Sequence, residues 1–191
     1  MKKFLFIAIF IFYGNSFAQS NFWGTNIGFS LFNSTVNTKN INLETNEVTK
    51  SEKKENSYGF HFLFNYNIPL SGGFYLNLTA GPNLGSKNFS GILVGTGINY
   101  QISNRNILNT TVNYHINIKC IACGGNSIFK NHSIFLVSIS DLFLISKNFG
   151  IELGVQLPFT REYYDESEPQ DYDSVSKFNY GITLGISMSI R

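Results

Sequence analysis

The sequence predicts an all-β protein, an eight-stranded antiparallel up-and-down β-barrel that crosses a membrane. Three observations predict it: eight segments alternate apolar with small polar residues, their connections alternate in length, and the chain opens with an export signal. The pattern is clearest at 177–191, where apolar residues occupy one parity and Gly, Ser, Thr and Asn most of the other. Because successive side chains of a strand point to opposite faces, this segment has one apolar face and one small, polar face. On a helix the same apolar residues would be scattered around the axis.

The first 18 residues have the features of a secretory signal peptide. Lys2 and Lys3 precede the apolar run 4–13, and Ser16-Phe17-Ala18 offers small residues at the two positions that a signal peptidase inspects. This run is too short for a membrane-spanning helix, which needs about 20 residues. We therefore expect cleavage after Ala18, which leaves 19–191 as the mature outer-membrane barrel domain.

The charges of the chain are nearly balanced but unevenly placed. The full sequence has 14 Lys and Arg against 12 Asp and Glu, and removal of the signal takes away Lys2 and Lys3. The mature chain is thus about neutral, which argues against nucleic acid as a partner. Most charges fall in 39–55 and 162–173, and we expect both segments to be solvated loops outside the membrane.

The first four alternating segments form two predicted hairpins. The strand 21–32 alternates Trp, Thr, Ile, Phe and Leu with Gly, Asn and Ser, and 58–68 has an aromatic or Ile at every second position. The strand 74–84 follows a tight turn at 69–73, and 91–102 sets Ile, Val and Tyr against Gly, Asn and Gln. Each is close to the length of a tilted membrane-crossing strand, about 9–11 residues.

The remaining segments complete four hairpins. The strand 107–118 follows the tight turn 103–106 and alternates Leu, Thr, Val, Tyr and Ile with Asn, Thr and His. The strand 132–145 loses its alternation near Asp141, which predicts a β-bulge. The strand 149–159 returns to strict alternation, and the final strand is the one described above.

The apolar faces are predicted to contact lipid rather than a protein core. The polar faces carry few charges, unlike a water-exposed sheet, and they are rich in Gly, which suits a narrow barrel interior. Aromatic residues lie toward the ends of the apolar faces, as in the girdles of membrane barrels: Trp23, Tyr58, Tyr66, Phe74, Tyr100, Phe149, Phe159, Phe178 and Tyr180. With eight strands we expect a lumen filled by side chains, without an open pore. A secreted, soluble lipocalin-like binding protein, with its apolar faces inward, is an alternative.

In strand number, strand length and the alternation of short turns with longer loops, the chain resembles the small eight-stranded outer-membrane barrels of the OmpA/OmpX type. The resemblance covers the whole mature chain and rests on pattern rather than on a residue motif. It implies the outer membrane of a Gram-negative bacterium, periplasmic termini and loops that face outside the cell. By analogy it implies a structural or surface-interaction role for a monomer surrounded by outer-membrane lipid, with an extracellular ligand at the long loops.

Two cysteines lie in one predicted loop, as Cys120-Ile121-Ala122-Cys123. A C-x-x-C pair can be redox-active or half of a metal site, but no second pair accompanies it and no strand–helix context surrounds it. The exported setting favours a local disulfide between Cys120 and Cys123.

The three histidines give two interpretations. His61 and His115 fall on the polar faces, where we expect hydrogen-bonded lumen residues. His132-Ser133 suggests a small outer-membrane lipid-modifying enzyme, because some eight-stranded barrels trim lipid A with a His, Ser and Glu set. No extended motif supports that second interpretation, so we predict no enzyme, and no catalytic, cofactor-binding or metal-binding residue.

Acidic residues appear at two kinds of position. Asp141 and Glu152 are expected near the same short turn, with at least one pointing into the lumen. The acidic loop 160–176 lacks the central Gly and terminal Glu of an EF-hand, so we expect a solvated loop rather than a calcium site.

Overall fold

A computed structural model describes residues 22–85, 89–118, 128–168 and 172–190, and all regular structure in these ranges is β-strand. The strands are β1 (Phe22–Ile41), β2 (Val48–Pro69), β3 (Phe74–Gly85), β4 (Ser90–Gln101), β5 (Asn106–Asn117), β6 (Ile128–Asn131), β7 (Ile134–Ser146), β8 (Phe149–Pro158), β9 (Glu162–Glu168) and β10 (Tyr172–Ile190). In this described part of the chain, no helix is long and apolar enough to cross a membrane.

Eight of the strands close into an antiparallel barrel. Their order is β1, β2, β3, β4, β5, β7, β8 and β10, and β10 pairs back onto β1. Each barrel strand is thus bonded to its neighbour along the chain, apart from the short β6 and β9, which confirms the predicted eight-stranded up-and-down topology. Closure pairs the backbone groups of both terminal strands, as hydrocarbon surroundings require.

The apolar faces of the barrel strands point outward. Phe60, Leu153 and Ile186 are 39%, 59% and 44% exposed, whereas the alternating Asn, Ser and Gly positions are mostly buried inside. This orientation is the one predicted for a membrane barrel. A soluble lipocalin-like protein would bury the same residues in its centre, so that alternative is wrong.

Aromatic side chains ring both ends of the apolar band. At the end with the short turns, Trp23 lies beside Tyr66 and Phe74 stacks on Tyr100, with ring centroids 4.5 and 4.4 Å apart. On β2 the distance from Tyr66 to Tyr58, near the other end, is about 27 Å along the strand. A tilt of about 40° reduces it to about 21 Å, close to the apolar height of about 25 Å in outer-membrane barrels.

The two charged segments predicted to be loops are largely strands, so that expectation is wrong. The β1–β2 ladder continues from Phe22–Asn67 to Ile41–Val48, and β10 pairs with β9, which pairs with β6. The barrel wall therefore continues past the apolar band as a sheet in the order β2–β1–β10–β9–β6. We call this part the extension sheet; it comprises 33–41, 48–57, 128–131, 162–168 and 172–177.

A defined turn closes the β1–β2 hairpin. The Oδ1 atom of Asn42 accepts hydrogen bonds from the backbone N–H groups of Glu44 and Thr45, at 2.9 and 3.2 Å. Asn46 adopts a left-handed conformation with φ of 56°, which Asn tolerates better than most residues. These turn residues hold the charged hairpin in register where no apolar face could do so.

A bulge in β10 changes which side of the barrel Phe178 faces. The pairing with β1 passes from Asn33–Tyr180 to Ser34–Phe178, leaving Asn179 as the extra residue. The Asn179 side chain donates to Asn33 Oδ1 and to Thr35 Oγ1, both at 2.9 Å. Phe178 is consequently 1% exposed, inside the barrel, so its predicted place in an outer girdle is wrong.

The bulge predicted near Asp141 is also wrong. The β5–β7 ladder is continuous from Asn106–Phe143 to His115–Ile134, and the irregularity in β7 lies between Leu144 and Ser146. Asp141 simply faces outward and is exposed. The alternation failed in the sequence because β7 also points apolar residues inward, with Ile134 and Leu136 both 0% exposed.

Candidate functional site

The lumen has two parts of different chemistry. Toward the extension sheet, seven buried side chains form one apolar cluster, which we call the aromatic plug: Phe32, Phe89, Ile134, Leu136, Tyr163, Tyr164 and Phe178. Toward the short turns lies a cavity of about 120 Å³ lined mainly by Asn, Ser and Thr, which we call the lower chamber. The lumen is therefore only partly filled by side chains, in contrast to the complete filling expected from the sequence.

The aromatic plug is built on three phenylalanines from distant parts of the chain. The ring centroids of Phe32 and Phe89 are 4.8 Å apart, those of Phe89 and Phe178 are 5.2 Å apart, and those of Phe32 and Phe178 are 5.6 Å apart. His115 stacks face to face on Phe89 at 4.3 Å and is 0% exposed. Tyr163 contacts Phe89 edge-on, with ring centroids 5.2 Å apart.

Glycine makes room for these rings. A Cβ on Gly59 would lie 2.4 Å from Phe32 Cε2, and a Cβ on Gly181 would lie 3.2 Å from both Phe32 Cδ1 and Phe178 Cζ. Any side chain at Gly59 would therefore displace Phe32. This explains why the small residues of the polar faces include glycines next to inward aromatics.

Sequence reasoning missed the plug. The sequence pattern predicts Phe178 on the outer face and Tyr163 and Tyr164 in a solvated loop, whereas all three side chains are buried. Phe32 is at a position of its strand that faces inward, and it pairs with Ser57. Gly59 lies two residues beyond Ser57 on the same face, and this small residue is the signal in the sequence that a large ring could fit there.

In the lower chamber, Glu152 is the centre of a hydrogen-bond network. Its Oε1 accepts from Ser140 Oγ at 2.5 Å and from Asn109 Nδ2 at 3.3 Å. Its Oε2 accepts from Asn26 Nδ2 at 2.5 Å and from Ser187 Oγ at 3.1 Å. The prediction that Asp141 or Glu152 points inward is thus confirmed for Glu152, and four donors satisfy its half-buried carboxylate.

A chain of hydrogen bonds links Glu152 to His61. Asn26 Oδ1 lies 2.7 Å from His61 Nε2, and His61 Nδ1 lies 3.2 Å from Ser30 Oγ. If Nε2 carries the proton, it donates to Asn26, and Nδ1 accepts from the Ser30 hydroxyl. Ser30 is 2% exposed and is not part of the chamber wall, so this Ser–His pair offers no accessible nucleophile. The network satisfies buried polar groups, as predicted for His61.

His132 and Ser133 lie at the other end of the barrel. The backbone N–H of His132 donates to the Tyr163 carbonyl at 3.0 Å, beside the plug. Glu152 pairs with Leu142, eight strand positions from Ile134, or about 27 Å along β7. The structure therefore does not bring Glu152 to the His132-Ser133 pair that suggested a lipid-modifying enzyme.

The remaining sequence predictions concern metal ligands, the cysteine pair and the acidic segment. In the ranges that the structure describes, no group of three or more His, Cys, Asp or Glu is arranged to hold a metal ion. Cys120 and Cys123 lie outside those ranges, so their disulfide stays a prediction. Part of the acidic segment 160–176 is ordered as β9 and the start of β10.

Comparison with known proteins identifies structures with a similar fold but no similar sequences. No protein-family model matches the sequence, and no curated protein does. The crystal structure of the outer membrane protein OprG from Pseudomonas aeruginosa is similar over 91% of this chain and 97% of its own, with a TM-score of 0.56 and 8% identity. This chain has the fold of the small outer-membrane β-barrels. The resemblance predicted from strand pattern is confirmed at that level.

Two further structures show a similar extent of overlap. The outer membrane protease OmpT from Escherichia coli is 9% identical, with a TM-score of 0.48, and the match covers 91% of this chain and 99% of that one. AlkL, studied in lipid bilayers, is 10% identical, with a TM-score of 0.47 and coverage of 93% and 96%. Both TM-scores are below 0.5, and at these identities neither likeness indicates an activity.

Proposed function

We propose that residues 19–191 form a monomeric barrel in the outer membrane of a Gram-negative bacterium, with a structural or surface-interaction role and no enzymatic activity. One observation carries the proposal: the barrel wall continues as a hydrogen-bonded, charged sheet directly above a lumen occupied by the aromatic plug. The molecule thus presents an ordered polar surface outside the apolar band, and outer-membrane lipid would surround the band itself.

The extension sheet supports an extracellular ligand rather than a transported solute. From Asn33 to Ile41, β1 runs about 27 Å beyond the band, paired on both sides over most of that length. Its surface carries both signs of charge, with ion pairs between Lys53 and Glu55 at 3.1 Å and between Lys177 and Glu162 at 3.3 Å. A rigid surface of mixed charge suits a polar partner, such as another protein or a glycan.

Location and orientation can be tested in cells. We expect the protein in the outer-membrane fraction, with a mobility on gels that changes on heating. In a Cys120→Ser, Cys123→Ser background, Thr45→Cys at the hairpin tip should react with a membrane-impermeant maleimide on intact cells, whereas Asn104→Cys in a short turn should react only after lysis. Recovery as a soluble periplasmic protein, or the reverse labelling pattern, would contradict the proposal.

The role can be tested on the purified protein. We expect no stepwise ion conductance in planar bilayers, because the plug occupies the lumen below the extension sheet. We also expect no change in lipid A on incubation, since Glu152 lies far from His132, and Glu162, the acid next to Tyr163, is paired with Lys177. Steady conductance would argue for a channel, and a modified lipid A would restore the enzyme interpretation.

A further inference from the structure

Asp141 is a charged residue on the lipid-facing side of the barrel wall. Its side chain is exposed and points outward from β7, where Leu108 of β5 and Leu153 of β8 lie directly opposite it. Both leucines are exposed apolar residues of the band. As far as the structure describes the barrel strands, every other side chain that points outward between the two aromatic girdles is uncharged.

Asp141 lies within the apolar band and not at its edge. Further along β7 toward the short turns, Phe143 and Ile145 still point outward, and they are 45% and 56% exposed. Ile145 is four strand positions from Asp141. That separation is about 13 Å along the strand, or about 10 Å along the barrel axis at a tilt of about 40°. In the other direction, Ile139 is again apolar and exposed. The carboxylate therefore leaves β7 at a depth where lipid chains, rather than water, would surround the wall.

No positive charge of the described chain compensates Asp141. Among the described residues, no Lys or Arg forms an ion pair with it, and its carboxylate accepts one hydrogen bond, from Asn106 Nδ2 at 3.4 Å. A charged side chain in hydrocarbon is costly and is usually paired, so an ionisable residue at this depth indicates a functional contact. A cation that balances Asp141 would come from outside the described chain.

A short polar strip connects Asp141 to the end with the short turns. Asn106 pairs with Phe143, so its bond to Asp141 tilts the carboxylate toward that end. Asn106 Oδ1 in turn accepts from Ser103 Oγ at 3.3 Å, in the turn between β4 and β5. Arg105, in the same turn, is exposed. The strip thus offers carboxylate and amide oxygens to a cation in the band, with a guanidinium at the end nearer to water.

Charge and position favour a phospholipid as the partner. A phospholipid with an ethanolamine headgroup carries a primary ammonium, whose N–H groups can donate to Asp141 and Asn106, and a phosphate that suits Arg105. Its acyl chains would lie against the exposed apolar residues around Asp141. A second copy of this chain supplies no such cation, because two copies in one membrane have the same orientation and no Lys or Arg described in the band points outward.

We propose that Asp141 and Asn106 bind the ammonium group of an ethanolamine phospholipid on the outer wall of the barrel, with the phosphate near Arg105. The proposal requires that the apolar band lies in lipid, and it is independent of the surface role proposed above. It predicts that the protein distinguishes an ethanolamine headgroup from a choline headgroup, which carries the same charge but has no N–H donor.

Urea titration of the mature protein refolded into vesicles tests this, in phosphatidylcholine alone and in an equal mixture with phosphatidylethanolamine of the same acyl chains. We expect the ethanolamine lipid to raise the folding equilibrium constant of the wild type about tenfold more than that of Asp141→Asn. In phosphatidylcholine alone, Asp141→Asn should be more stable than the wild type, because it removes a charge from hydrocarbon. Glu44→Gln, which removes an exposed carboxylate at the hairpin tip, should behave as the wild type in both lipids.

Further variants separate recognition of the headgroup from a general effect of the lipid mixture. Asp141→Glu keeps the carboxylate and should keep most of the response to the ethanolamine lipid, whereas Arg105→Gln should reduce it severalfold. Equal responses of the wild type and Asp141→Asn, or a response of Asp141→Glu no larger than that of Asp141→Asn, would overturn the proposal. In a Cys120→Ser, Cys123→Ser background, Asp141→Cys should stay monomeric on mild oxidation of cells. Efficient formation of disulfide-linked dimers would assign this position to a contact between copies and would also overturn the proposal.

Discussion

Because the apolar face of the barrel wall points outward, a charged residue at Leu184 should strongly reduce stability in a membrane. Leu184 is 54% exposed on the outer face and pairs with Phe29 and Leu153, which are also exposed. It lies between the aromatic girdles, near the middle of the apolar band. Lys at mid-bilayer costs about 2–4 kcal/mol in an outer-membrane barrel. We therefore expect Leu184→Lys to reduce the folding equilibrium constant in lipid vesicles by about 30-fold to about 700-fold.

Leu43 provides a matched control. It is 56% exposed, almost the same fraction as Leu184, but it lies in the turn at the tip of the extension sheet. Leu43→Lys should change stability by about 0.5 kcal/mol or less, as is usual for a surface substitution in water. Urea titration in phosphatidylcholine vesicles, followed by heat-modifiable migration, would give both free energies of unfolding.

The comparison separates lipid exposure from water exposure. If both substitutions cost the same, the outer face of the barrel would not be in hydrocarbon, and the membrane argument built on exposed apolar residues would fail. A large loss for Leu43→Lys with none for Leu184→Lys would reverse the assignment of the two ends.

Three further substitutions test other features. Ser187→Lys, which places the ammonium in the polar lumen beside Glu152, should cost less than Leu184→Lys in the same urea titration. Phe178→Ala removes a buried ring from the plug and should lower the free energy of unfolding by about 3–5 kcal/mol; a loss under about 1 kcal/mol would mean that the ring does not pack there. At Asn46, with its φ of 56°, replacement by Val should destabilise the hairpin by about 1–2 kcal/mol and replacement by Gly should not, as measured by amide hydrogen exchange at the tip. Equal exchange in the two variants would contradict a left-handed turn.

Strand alternation predicted the parts of the fold that the membrane imposes. Each barrel strand must point apolar side chains toward lipid and small ones toward the lumen. The alternation of the two kinds of residue is therefore visible within each strand's own sequence. Leu153 and His61 could therefore be placed outside and inside without knowledge of their partners. The lumen position of Glu152 followed from the same parity.

The extension sheet could not be predicted in that way. Outside the band neither face needs to be apolar, so Val36 and Lys53 pair across β1 and β2 without an alternating pattern around them. What holds the hairpin is turn chemistry at Asn42 and Asn46.

The aromatic plug could not be predicted for a different reason. Phe is acceptable on either face of a membrane barrel strand, so one extra residue at Asn179 exchanges the faces without leaving a sign in the hydrophobic pattern. Ile134 and Leu136 caused a different error. They are apolar residues that point inward, so β7 has apolar residues on both faces, and this was interpreted as a break in the alternation. Both errors concern contacts between distant strands, which local patterns do not contain.

Phe32 and Phe178 stand on the first and last strands of the barrel, on either side of the seam where β1 and β10 join. Their contact can form only when the ends of the chain have met. Burial of these rings therefore stabilises the closed barrel relative to the open sheet that precedes it in assembly. In the open sheet Phe32 and Phe178 would not be in contact, and the plug would be incomplete.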